Sequence, residues 1–187
     1  MLAANWERAL QDIADGKRHV NARGRYYPHS RYFMTLLHFA ATSTNGGTVA
    51  HMRRLLELGA NPSAKDQIGE VPMHCCVCAP VNEEDAALAK CKLLPVADIA
   101  ANTVFDWTPF RLALFTNETV LRWMLEQPEC PVEEHMLYAQ TVALGPPVEE
   151  NIWRLVEEAA AQRRRWSKKR AAWTATVAAA VLAPVAA

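Results

Sequence analysis

The 187-residue chain is 51% apolar, with 20 basic and 20 acidic residues, a composition that excludes a chain too polar to bury a core. The neutrality is uneven: Arg163, Arg164, Arg165, Lys168, Lys169 and Arg170 form one basic run, and no acid follows Glu158. Removing those six from the 20 basic residues leaves 14 against 20 acidic ones, so a body of about −6 precedes a tail of +6.

In chain order, "WERALQDIADGKRHVNAR" reads as a helix followed by an exit loop. Its spread acids, Glu7, Asp12 and Asp15, are unlike a secretory signal or a mitochondrial presequence. The cysteines, Cys75, Cys76, Cys78, Cys91 and Cys130, are odd in number and bunched, which points to free thiols in a reducing, intracellular setting. Next comes a connector, "RGRYYPHSRYF", crowded with Arg23, Arg25, Tyr26, Tyr27, Arg31, Tyr32 and Phe33. Arg and Tyr are enriched at interface hot spots, so a protein partner is expected here. RNA or acidic lipid is a less favoured ligand for such a mixture. The structural alternative is that the aromatics fold back on the N-terminal cap.

Three segments then align: "MTLLHFAA" (34–41), "EVPMHCCV" (70–77) and "WTPFRLAL" (107–114), offset by 36 and 37 residues. Each opens a short helix. A second helix follows the first and third in "AHMRRLLELGA" (50–60) and "ETVLRWMLEQ" (118–127), the latter with Val120, Leu121, Met124 and Leu125 on one face. The stretches "TSTNGG" and "APVNEEDAA" read as loop insertions that lengthen the period. Phe105 and Trp107 fall at the tip of the third connector, where an exposed Trp calls for a partner. "HMLYAQTVAL" and "VEENIWRLVEEAA" read as a helical C-terminal cap.

This pattern resembles the ankyrin repeat, a helix–loop–helix–hairpin unit with a T-P-L-H-x-A signature. "LLELGANPSAKDQIGEVPMH" carries the resemblance best, through Gly59, Ala60, Asn61, Lys65, Asp66, Gly69, Pro72 and His74. The signature is degenerate: Leu36 stands for Pro, Val71 for Thr, Arg111 for His, and Asp106 for the turn Gly, which Asp tolerates better than most residues. The resemblance implies an all-α ankyrin-repeat solenoid, with a long C-terminal helix following it. The expected divisions are a capped solenoid over 1–145, a C-terminal capping helix with the basic run over 146–170, and an apolar tail over 171–187. It also implies a binding architecture and no catalysis, and no glycine loop or nucleophile–base pair argues for an enzyme or a cofactor.

The histidine and cysteines of "VPMHCCVCAP" admit two readings. His74, Cys75 and Cys78, joined by Cys91, would be a metal or redox site. By the resemblance, His74 is instead the signature structural histidine, and Cys76 takes the signature alanine position between helices. On a single helix the cluster supplies too few convergent ligands for zinc, so packing is preferred and no metal is expected.

Nothing breaks a helix between Pro147 and Pro184, which predicts one helix of about 36 residues. Ile152, Leu155, Val156 and Ala159 would dock it. Beyond the basic run, Trp166, Trp173, Val177, Val181 and Leu182 suit a weakly apolar membrane anchor or a tail buried in a complex. The function expected is a non-catalytic accessory or scaffold subunit in a membrane-bound assembly, with the mitochondrial membrane favoured over the cytosol. Two alternatives are a soluble cytosolic ankyrin adaptor whose basic tail binds acidic surfaces, and a metal or redox protein.

Overall fold

A computed structural model describes residues 5–25, 33–42, 46–132 and 150–182, with backbone alone at Val81 and 174–182. The described residues are mostly helical: α1 (Trp6–Ala14), α2 (Leu36–Ala41), α3 (Val49–Glu57), α4 (Pro72–Val77), α5 (Glu84–Cys91), α6 (Pro109–Thr116), α7 (Glu118–Glu126) and α8 (Glu150–Leu182). This agrees with the all-α expectation, and one short hairpin accompanies the helices. β1 (Arg23–Arg25) and β2 (Phe33–Thr35) pair antiparallel, with Arg25 opposite Phe33, and close the long Arg/Tyr connector at its base.

The helices form two rows. α2, α4 and α6 pack side by side, and α1, α3, α5 and α7 form the second row behind them. Each first-row helix also packs on its successor in the chain, and α8 lies against α7. The core fills the space between rows with Leu37, Met52, Leu55, Met73, Val77, Phe110, Leu121 and Met124, all buried. Close approach needs small side chains, and Ala40, Cys76 and Ala113 supply them at matching positions, fully buried. Gly47 serves the same purpose: a Cβ there would stand 2.5 Å from the Ala40 backbone.

Local chemistry sets the helix ends. Pro72 and Pro109 occupy first-turn positions in α4 and α6, where the missing N–H costs nothing. The Thr108 hydroxyl accepts from the Arg111 N–H at 3.1 Å, and the Asn117 side chain caps α7 through the Val120 N–H at 2.9 Å. Lys90 is buried in α5, and its ammonium donates to the carbonyls of Ala41 and Thr42 at 3.3 and 3.4 Å. It thereby satisfies the C-terminal end of α2, whose partial negative charge favours a cation. Burial lowers the pKa of this ammonium below its usual value.

The stretch "APVNEEDAA" is only partly a loop. A 3-10 turn covers Val81–Glu83, and α5 begins at Glu84. Its acidic first turn, Glu84 and Asp85, suits a helix N-terminus. Its buried face is little more than Ala87 and Cys91, a pattern too faint to read as a helix from sequence.

Candidate functional site

The connectors before α4 and α6 share one hydrogen-bond plan. In the first, the Asp66 N–H donates to the Glu70 carbonyl at 2.8 Å, and the Asp66 carboxylate accepts from the N–H groups of Ile68 and Glu70. In the second, the Thr103 N–H donates to the Trp107 carbonyl at 2.9 Å, and the Thr103 hydroxyl accepts from Phe105 and Trp107. Gly69 and Asp106 occupy equivalent left-handed positions, φ 87° and 64°. The Val104 N–H joins the two turns through the Ile68 carbonyl at 2.8 Å.

Histidines tie each helix to the connector that follows. His74 Nδ1 accepts from the Val71 N–H at 3.1 Å, which places the ring proton on Nε2, and Nε2–H donates to the Trp107 carbonyl at 3.2 Å. His38 repeats this with Thr35 and the Glu70 carbonyl, at 3.3 and 3.1 Å. Arg111, at the third histidine position, pairs with the Asp106 carboxylate at 3.0 Å and donates to the Asp106 carbonyl.

Burial pushes the pKa of both histidines below the ordinary 6.5, and the hydrogen bonds to Glu70 and Trp107 offset this in part. The folded protein therefore binds fewer protons than the unfolded chain as pH falls below that value. The stability from these rings is complete above about pH 6.5 and is lost on acidification through the lowered folded pKa. Glu70, whose carboxyl pKa is raised by burial, acts in the opposite sense. A lower urea midpoint at about pH 5.5 than at about pH 7.5 is expected, with a smaller difference in His74→Gln.

The third connector presents an apolar patch. Val104 and Phe105 are 70% and 65% exposed, and Trp107 and Phe115 are more than a third exposed. The Trp107 and Phe115 rings meet edge to face, with centroids 6.1 Å apart. The Thr103 hydroxyl fixes the amides of Phe105 and Trp107, so the patch sits on a hydrogen-bonded turn. Phe105 and Trp107 were legible as the tip. Val104 was not singled out, and Phe115 comes to the patch from α6.

The Arg/Tyr connector is brought together only in part. Arg23 and Arg25 stand on β1 and the half-buried Phe33 on β2, while Tyr26, Tyr27, Arg31 and Tyr32 lie outside the described residues. Arg23 donates to the Lys65 carbonyl at 2.7 Å and so holds the sheet to the next connector. Between α1 and this sheet lies a groove of about 720 Å³, lined by Trp6, Arg8, Asp12, Arg18, His19 and Phe39 among others. Arg8 and Arg18 were not singled out by the sequence.

The cysteine-rich helix does not gather a ligand set. Both ring nitrogens of His74 are engaged, Cys78 is exposed at the helix end, and Cys91 pairs with Cys76 and not with His74. Burial raises the Cys75 and Cys76 pKa values and pushes Cys78 to about 11, which keeps these thiols protonated at neutral pH. Among the described residues, no three His, Cys, Asp or Glu side chains are grouped to hold a metal ion.

The C-terminal helix has two parts. Ile152, Val156 and Ala160 are buried where α8 meets α7, with Leu155 half-buried beside them. Arg163 turns inward and donates to the carbonyls of Leu125, Gln127 and Cys130. This corrects its assignment to the tail surface. Every residue from 164 to 173 is exposed, including Arg164, Arg165, Trp166, Lys168, Lys169, Arg170 and Trp173. The Lys169 ammonium lies 5.6 Å from the Trp166 ring centroid. Val177, Val181 and Leu182 belong to the helical backbone, but their side chains lie outside the description, as do residues 183–187. Among the described residues, no helix is long and apolar enough to cross a membrane. Alanine dominates the charge-free stretch and contributes too little hydrophobicity.

No protein-family model matches this chain, and no curated protein matches it.

Proposed function

We propose that the chain is a non-catalytic protein-interaction module of the ankyrin-repeat type, serving as an accessory or scaffold subunit of a membrane-bound assembly. The observation that carries this reading is the exposed apolar patch of Val104, Phe105, Trp107 and Phe115. A hydrogen-bonded turn that holds large apolar rings in water has the form of a preorganised contact surface. The recurrence of one histidine–carbonyl link at His38–Glu70 and His74–Trp107 supports the repeat assignment. So do the small residues Ala40, Cys76 and Ala113 at matching positions. A solenoid of such units buries its core between neighbours and leaves its connectors free to recognise a partner. The mitochondrial membrane is the location proposed, on the basis of the short, weakly apolar tail with basic flanks, and α8 is its means of association without crossing.

The test is affinity capture of the full chain in mild detergent, followed by titration of the captured partner against Phe105→Ala/Trp107→Ala. Loss of two hot-spot rings is expected to weaken binding by at least about 30-fold. Folding stability should change by less than about 1 kcal/mol, because the Trp107 backbone bonds remain. Unchanged affinity in the variant would remove the patch as the contact surface.

A further inference from the structure

The distal part of α8 is an exposed helix with a distinctive chemistry. After Arg163, ten consecutive helical residues are exposed, and no other part of the described chain covers them. Trp166 and Trp173 are 71% and 68% exposed. They stand seven residues apart, two helical turns, and so lie on nearly the same side. Arg164, Arg165, Lys168 and Lys169 stand beside them in the sequence, and no acid follows Glu158. The helix then continues to Leu182 without a charged residue.

We infer that residues 164–182 bind the surface of an anionic phospholipid bilayer and lie in its interface, with Trp166 and Trp173 at headgroup level. This deepens the reading above and rests on its membrane-bound part. Charge complementarity selects the ligand's sign: exposed cations without acids suit an anionic surface. Tryptophan selects its character, because an indole prefers a boundary that is apolar on one side and wet on the other. The charge-free continuation decides between lipid and nucleic acid. A single-stranded RNA would engage the cations and stack on the indoles, leaving the charge-free helix from Thr174 onward without a role. A bilayer interface accepts both halves, and the alanine-rich composition keeps the helix in the interface and out of the hydrocarbon core.

The experiment is co-sedimentation of the full chain with vesicles of phosphatidylcholine alone and with vesicles of phosphatidylcholine plus phosphatidylserine. Binding is expected only to the mixed vesicles. Each basic residue near such a surface contributes about fivefold, so Arg164→Gln/Lys168→Gln/Lys169→Gln should weaken binding roughly 100-fold. Trp166→Ser/Trp173→Ser should weaken it by at least about tenfold, as burial of even part of each ring predicts. All five positions are exposed, so circular dichroism should show the wild-type fold in both variants. Equal binding to both vesicle types overturns the proposal, as does sediment that resists carbonate, which would mean insertion across the bilayer. Tighter binding to polyuridylate than to mixed vesicles overturns it in favour of RNA. The Phe105→Ala/Trp107→Ala variant should bind vesicles like wild type. Loss of partner capture together with retained vesicle binding separates the two readings.

Discussion

Replacing His74 with alanine is expected to destabilise the protein by about 2–4 kcal/mol, measured by urea unfolding at pH 7.5 or so. Two effects add. The ring is buried between α4 and the following connector, so its removal leaves a cavity. It also strips the buried Val71 N–H of its acceptor, and an unsatisfied buried donor costs about 1–3 kcal/mol. The Trp107 carbonyl suffers less, because it keeps the Thr103 N–H at 2.9 Å. His74→Asn should recover about half of the loss, since its carbonyl oxygen can stand near the place of Nδ1 but cannot reach Trp107. The consequence reaches the patch, because the bond from His74 anchors the turn that presents Trp107. A cost under about 1 kcal/mol for His74→Ala would mean that the histidine fills space without organising the connector.

The legible features are those whose reason is local. Asp106 stands where a turn Gly is expected and adopts φ 64°, as a short polar side chain allows. Cys76 takes an alanine position and is fully buried against neighbouring helices. The uninterrupted stretch between Pro147 and Pro184 yields a helix over Glu150–Leu182, because nothing inside it opposes one. Features set by partners distant in sequence were missed. β1 and β2 are three residues each, and their pairing depends on a closure across the connector that no periodicity announces. The partner of Cys91 was not legible either: its thiol meets Cys76 between α4 and α5. Phe105 and Trp107 were expected together at the tip and both are exposed, but the edge-on contact of Trp107 with Phe115 was not foreseen.

The basic run shows the same limit and yields the second large effect. From sequence, Arg163 is one of six equivalent cations. In the fold it reaches the C-terminal end of α7 and donates to the Leu125, Gln127 and Cys130 carbonyls, while Arg164 faces solvent. These acceptors belong to the last turn of α7 and the chain just after it, where a helix carries partial negative charge. The planar fork of Arg spans several carbonyls at once, which a Lys ammonium cannot do. Arg163→Ala is therefore expected to cost about 3 kcal/mol of stability, and Arg163→Lys to recover less than half of it. Arg164→Ala, one residue further on, should stay within about 0.5 kcal/mol of wild type. Hydrogen exchange adds a second readout: α8 amides near Ile152 and Val156 should lose protection in Arg163→Ala while those of α4 keep it, since the clamped carbonyls lie in or just after α7. If Arg163→Ala and Arg164→Ala proved equally mild, the clamp would be dispensable and the apolar contacts of Ile152, Val156 and Ala160 alone would seat the helix.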